Sequence, residues 1–142
     1  MKGVTLLEVF FSVAVIGIIA GISIPVYQSF QVRNDLDIAA VEIVQALRRA
    51  QALSQAVDGD TAWGVHIAFG FMALFKGAGY AVRDSSFDEV LEIPASVKPS
   101  GVQEVVFERF TGLPQTLGVI TLASYVNETR EIVINAKGMV SY

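Results

Sequence analysis

Lys2-Gly3-Val4-Thr5-Leu6-Leu7-Glu8, then VFFSVAVIGIIAGISIPV from Val9 to Val26, opens the chain with a short basic stub, one carboxylate and a long run carrying no charge. As an α-helix that run spans roughly 27 Å, close to the hydrocarbon thickness of a bilayer, so by length it reads as a membrane span. A cleaved secretory signal also has a basic start and an apolar run, but it is shorter and ends in small residues. Here Pro25, Val26 and Tyr27 lead straight into a further helical pattern, which favours a retained anchor. Lys2 is the only basic residue ahead of the run, and Arg33, Asp35 and Asp37 follow it. The excess of positive charge on the short side puts the N-terminus in the cytoplasm and the rest outside. Glu8 stands out, because a carboxylate in a span costs about 2.5 to 3.5 kcal/mol at the centre, and less near an edge, and usually marks function beside a partner. The alternative is a carboxyl that snorkels to the cytoplasmic interface or stays protonated.

Beyond Pro25, apolar residues recur at helical spacing: Leu36, Ala40, Ile43, Val44, Leu47, Ala50, Leu53 and Val57. Arg33, Asp37, Gln45, Arg48, Gln51 and Gln55 fill much of the other face, and Asp58-Gly59-Asp60 provides the stop. If anchor and amphipathic half are continuous, one helix of about 54 residues runs from Val4 to Val57, on the order of 80 Å long. Its first half must then face lipid or other copies. From Thr61 the pattern turns to β, with runs at Trp63 to Phe69, Phe71 to Phe75, Val102 to Phe110, Gly118 to Ser124 and Glu131 to Val140. Alternation is clearest in Trp63, Val65, Ile67 and in Ile132, Ile134, Ala136. The stretch Asp84 to Gly101 reads as a long connection with room for one more strand. Strands of this kind bury one face, and the apolar stripe of the helix is the available cover.

At 142 residues the chain is sized for one domain. Hydrophobic residues make up 53% of it, and a mean hydropathy of +0.54 sets it apart from soluble domains of this size. With no cysteine, a disulfide framework, a thiolate nucleophile and a thiolate metal site are excluded. A net charge of -4 argues against broad electrostatic binding to nucleic acid or an anionic membrane surface, and Arg48-Arg49 is the only adjacent basic pair. No G-x-S-x-G or H-E-x-x-H motif occurs, and Ser54, Ser85, Ser86 and Ser100 have no activating neighbour in sequence. His66 is the only histidine and, set between Val65 and Ile67, is expected on an exposed strand face; it cannot build a zinc site. Asp88, Glu89 and Glu92 read as solvated loop charges, although a calcium site would need such oxygens. Trp63, Phe69, Phe71, Phe75 and Phe107 are expected in the core, and Gly77 with Gly79 in a turn. No catalytic residue, metal or cofactor is assigned.

The basic leader ending in Gly3, the Glu8 that would be fifth in a product cut after Gly3, the charge-free run and Pro25 together resemble the processing signature of the type IV pilin and type II secretion pseudopilin superfamily. That resemblance implies cleavage of the Gly3–Val4 bond by a prepilin peptidase and N-methylation at Val4. Pilins of this kind usually show Phe or Met there, so Val4 departs from the pattern. It implies that Glu8 pairs with the terminal amine of a neighbouring subunit and that Pro25, with Gly17 and Gly21, marks a segment that loses helicity on assembly; the glycines also form a G-x-x-x-G pair able to let helices approach. Leu47 to Gln51, Trp63 to Ile67, the series Phe107, Gly112, Leu113, Pro114, Gly118, Ile120, Leu122, and Ile132, Ile134, Gly138 resemble the H-type minor pseudopilins and similar minor pilins. This implies an α+β fold in which a long N-terminal helix packs on two small antiparallel sheets.

The expected organisation is therefore a leader at 1–3, a transmembrane and assembly helix at 4–26, an amphipathic half at 27–58 and a β-rich domain at 59–142. The expected partners are other pilin or pseudopilin subunits, the prepilin peptidase, an inner-membrane assembly platform and the membrane, with no nucleic acid. The expected place is the inner membrane by a single pass, with the domain periplasmic or extracellular, and then the filament. Two functions follow: a structural subunit of a pilus or pseudopilus, or a membrane-tethered ligand-binding module that does not polymerise. Gly3 and Glu8 separate them, since a plain anchor requires neither.

Overall fold

The computed structural model describes residues 3–138 and 140–141, with the side chains of all but 23–25 and 140–141. One helix, α1, runs from Leu6 to Gln55, about 75 Å at 1.5 Å per residue. It starts two residues later and ends two residues earlier than the apolar pattern predicts. At its end Ala56 caps the last turn, donating to Ala52 and Ser54. Val57 then turns left-handed at φ 55° and Asp58–Asp60 forms a 3-10 turn, with Gly59 at φ 69° and Asp60 at φ 58°. The Asp-Gly-Asp stop acts where expected, but Val57 belongs to the turn.

Eight strands follow: β1 (Trp63–Ala68), β2 (Phe71–Lys76), β3 (Asp84–Glu92), β4 (Val97–Gly101), β5 (Glu104–Phe107), β6 (Gly118–Ser124), β7 (Thr129–Ile134) and β8 (Val140–Ser141). They form two four-stranded sheets, ordered β3-β2-β1-β5 and β4-β6-β7-β8, with every pairing antiparallel. The architecture is α+β: α1 lies against both sheets and supplies the middle of the core. Leu36, Ala39, Ala40, Ile43, Val44, Ala46, Leu47 and Ala50 are buried from the helix side. The alanines keep that face thin, so Val65, Ile67, Met72, Leu74 and Phe107 of one sheet and Ile120, Leu122, Ile132 and Ile134 of the other close over it.

Several strand expectations need correction. The connection at Asp84 to Gly101 is in fact two strands, β3 and β4, both at sheet edges. Their sequences, DSSFDEVLE and VKPSG, are poor in β-formers because one side of each faces water. An edge strand tolerates Pro99, whose missing N–H would break an inner ladder. The run from Val102 to Phe110 pairs only over Glu104–Phe107, since Phe110 takes a left-handed φ of 70°. The last run starts earlier and breaks into β7 and β8, so Ala136 lies exposed in a turn. Phe69 is also outside the core, 60% exposed beside Gly70 in the β1–β2 turn, and Phe71 is only half-buried.

Candidate assembly site

The chain's first turn is organised around Thr5. Gly3 and Val4 precede the helix, non-helical and exposed, and Thr5 caps it with extended backbone, its Oγ1 accepting from the Glu8 N–H at 3.3 Å. The Thr5 carbonyl accepts from Val9 N at 3.2 Å, and Ser12 Oγ donates to the Glu8 carbonyl at 2.8 Å. Glu8 is thus the third helical residue, where the positive end of the helix dipole favours a carboxylate. Thr5-x-x-Glu8 is a capping-box pattern that the sequence shows but that reading for cleavage alone passes over. Glu8 is exposed and takes part in none of the ion pairs found among the described residues. A methyl group added at Gly3 would meet nothing within 4 Å, so no packing among the described residues calls for glycine there.

Below this turn the helix is bare. The apolar window that qualifies α1 as a membrane span has none of its residues buried, and Leu6, Phe10, Phe11, Val13, Ile16 and Ile19 are each at least 60% exposed. Added methyl groups at Gly17 and Gly21 would also meet nothing within 4 Å. Pro25 lies inside α1, which stays helical through it; the Pro25 side chain falls outside the described residues, as do Met1 and Lys2 of the leader. Gly3, Val4 and Glu8 therefore gather at one end of α1, while Pro25 stands some 25 Å along it. A continuous apolar surface of this extent is not stable in water and must be covered by lipid or protein.

The β domain holds no comparable chemistry. His66 is half-buried rather than on an open face: its ring stacks on Tyr80 at 4.1 Å between centroids and its Nδ1 lies 3.8 Å from Glu104 Oε2. The β1–β5 register puts His66 opposite Glu104, a pairing that sequence separation hides. Arg83 covers the Tyr80 ring at 3.8 Å and donates to Asp88 at 2.7 Å. That hydrogen bond raises the Arg83 pKa above its ordinary value. Asp88 and Glu89 lie in β3 rather than a loop, and Glu89 is paired with Arg49 of α1. Among the described residues no three His, Asp or Glu side chains converge to hold a metal ion. A shallow cleft between α1 and β3, lined by Glu42, Gln45, Arg49, Leu74, Glu89 and Leu91, is partly closed by the Arg49–Glu89 pair.

No protein-family model and no solved structure matches the chain. Two curated proteins from Pseudomonas aeruginosa, each described as a fimbrial protein, are 35% identical to it over 113 residues. The match covers 70% of this chain and 71% of each relative. With a bare apolar N-terminal helix seated on two antiparallel sheets and that level of identity to fimbrial proteins, the chain belongs to the pilin family.

Proposed function

We propose that this chain is a structural subunit, a minor pilin or pseudopilin, of a type IV pilus or a type II secretion pseudopilus, allied to the H-type subgroup. The observation that carries the reading is the uncovered helix with one carboxylate in its first turn. In this reading a prepilin peptidase cuts the Gly3–Val4 bond on the cytoplasmic side and Val4 becomes an N-methylated terminus. Gly3 packs against nothing among the described residues, so its use lies in letting an extended backbone enter a protease cleft at the membrane.

Assembly then replaces lipid by sister helices around α1. The new ammonium at Val4 in one copy meets Glu8 in the next, and the two charges leave water together, which sets the axial register. Gly17, Gly21 and Pro25 fall four residues apart on one helix face. Pro25 offers no N–H to the Gly21 carbonyl, so the segment is primed to unwind as the subunit leaves the bilayer. The assembly platform in the inner membrane and the peptidase are the transient partners, and other subunits the lasting ones. The test is the mass of the protein recovered from filaments. A chain beginning at a methylated Val4 is expected, with Gly3→Phe leaving the leader attached. Intact Met1 in a protein never found in a polymer would leave only a tethered binding module.

A further inference from the structure

The two ends of the β domain differ in what they present. The end nearest the apolar half of α1 is marked by three contacts to its first packed turns: Arg33 Nε to Glu128 Oε1 at 2.7 Å, Ser96 Oγ donating to Asp35 Oδ2 at 2.9 Å, and Arg130 Nε donating to Asp37 Oδ1 at 2.8 Å. These bring the β6–β7 turn to the level of Arg33. The far end is marked by Gln51 Nε2 donating to the Gly112 carbonyl at 3.0 Å. At the tip of the near turn Tyr125 is 66% and Val126 40% exposed. The turn is tightly closed: Asn127, at φ 59°, donates to the Ser124 carbonyl at 3.1 Å, and Ser124 N donates to the Glu128 carbonyl at 2.9 Å.

The distance to the bilayer can be counted. A 30 Å hydrocarbon layer takes about 20 helical residues, so a span starting at Val9 ends near Gln28, and Arg33 lies about 7 Å beyond, within the headgroup layer. Tyr27 and Phe30 sit exposed on either side of Gln28, at the edge of the span, where amphipathic and apolar rings favour the interface. Four of the charges at this end are paired, Arg33 with Glu128 and Arg130 with Asp37, while Asp35 accepts from the Ser96 hydroxyl. Charges already paired lose less on approach to a low-dielectric layer than single ones. We propose that the Tyr125–Val126 turn is a membrane-seating foot, resting with Tyr27 and Phe30 in the headgroup layer of the leaflet from which the domain emerges, and leaving it when the subunit enters a filament. This rests on the reading of α1 as a membrane anchor.

With no native cysteine, single spin labels can be placed cleanly on the full chain in vesicles of phosphatidylethanolamine and phosphatidylglycerol. Ile16→Cys reports the anchor, Val126→Cys the foot, and Leu117→Cys, before β6 at the far end, the solvent. Each label is read by relaxation from oxygen, which partitions into lipid, and from a water-soluble nickel chelate. The expected result is a hydrocarbon signature at residue 16, several-fold protection from nickel at 126 relative to 117, and loss of that protection in a Tyr125→Ser background. Equal nickel access at 126 and 117, with residue 16 in lipid, overturns the foot and leaves the anchor standing. Nickel access at residue 16 overturns both. Protection at 126 that vanishes on diluting the protein in lipid assigns the cover to a second copy and also overturns the proposal.

Discussion

Glu8 holds two physical roles at one position, and they can be separated. Its backbone N–H is held by Thr5 Oγ1, while its carboxylate sits at the positive end of the helix dipole. The helix start survives loss of the side chain, because the Thr5 cap binds the backbone. Glu8→Ala is therefore expected to insert into membranes normally yet fail to appear in filaments. Glu8→Gln is the sharper comparison, since glutamine keeps the capping-box shape without charge. Filament recovery by immunoblot should fall for both; normal yield from Glu8→Gln would reduce the residue to a cap. Ser54 poses the opposite case, a polar side chain with no exposure at all. Its Oγ accepts from Trp63 N at 2.9 Å and donates to the Phe107 carbonyl at 3.1 Å, tying the end of α1 to β1 and β5. Ser54→Ala leaves a buried N–H without a partner and is expected to cost about 1 to 3 kcal/mol in denaturant unfolding. A loss below a few tenths would mean that water replaces the hydroxyl.

At the scale of elements, β4 shows how an edge strand is held in place. Gly101 ends it at φ 84°, opposite Ile120 of β6, and a methyl group there would run into the Val119 carbonyl oxygen. That oxygen already accepts from Val102 N at 3.1 Å. Gly101→Ala is thus expected to destabilise by about 1 to 3 kcal/mol through the strained φ, with hydrogen exchange rising first in β4. Unchanged exchange would show that the link relaxes freely. The same edge strands explain what sequence could and could not reveal. The apolar N-terminal run is legible by its length without charge, β2 as a short apolar run, and the stripe of Leu36, Ala40, Ile43, Leu47 and Ala50 with strands β1, β6 and β7 because burial imposes a period on their residues. Strands β3 and β4 carry no such period: their partners β2 and β6, and the Arg49–Glu89 pair, fix them from outside. Ser54 continues the helical spacing of Leu47 and Ala50 but is polar, so a search for apolar residues moves past it to Val57. The Thr5-x-x-Glu8 cap was readable all along, whereas the meeting of His66 with Glu104 depends on strand register and was not.

The whole molecule divides by what covers it. Core residues on the helix begin at Val32, 3% exposed, whereas the apolar window that qualifies α1 as a span has none of its residues buried in this chain. Since stabilisation follows apolar area removed from water, that apolar segment adds almost nothing to the folding of the domain and supplies the demand for lipid or sister subunits. The division predicts how the chain behaves when cut. Removing residues 1–27 should give a soluble, monomeric protein whose thermal midpoint stays within a few degrees of the full chain in detergent, because every ion pair and core contact of the domain remains. The full chain, by contrast, should stay in solution only with detergent or lipid. Circular dichroism melting and sedimentation velocity check both halves of the expectation. If the shortened chain melts far lower, the bare half of α1 is bracing the domain in a way its exposure does not account for; if it aggregates while folded, a second sticky surface lies on the β domain, and the near-end turn at Tyr125 and Val126 is the first place to look.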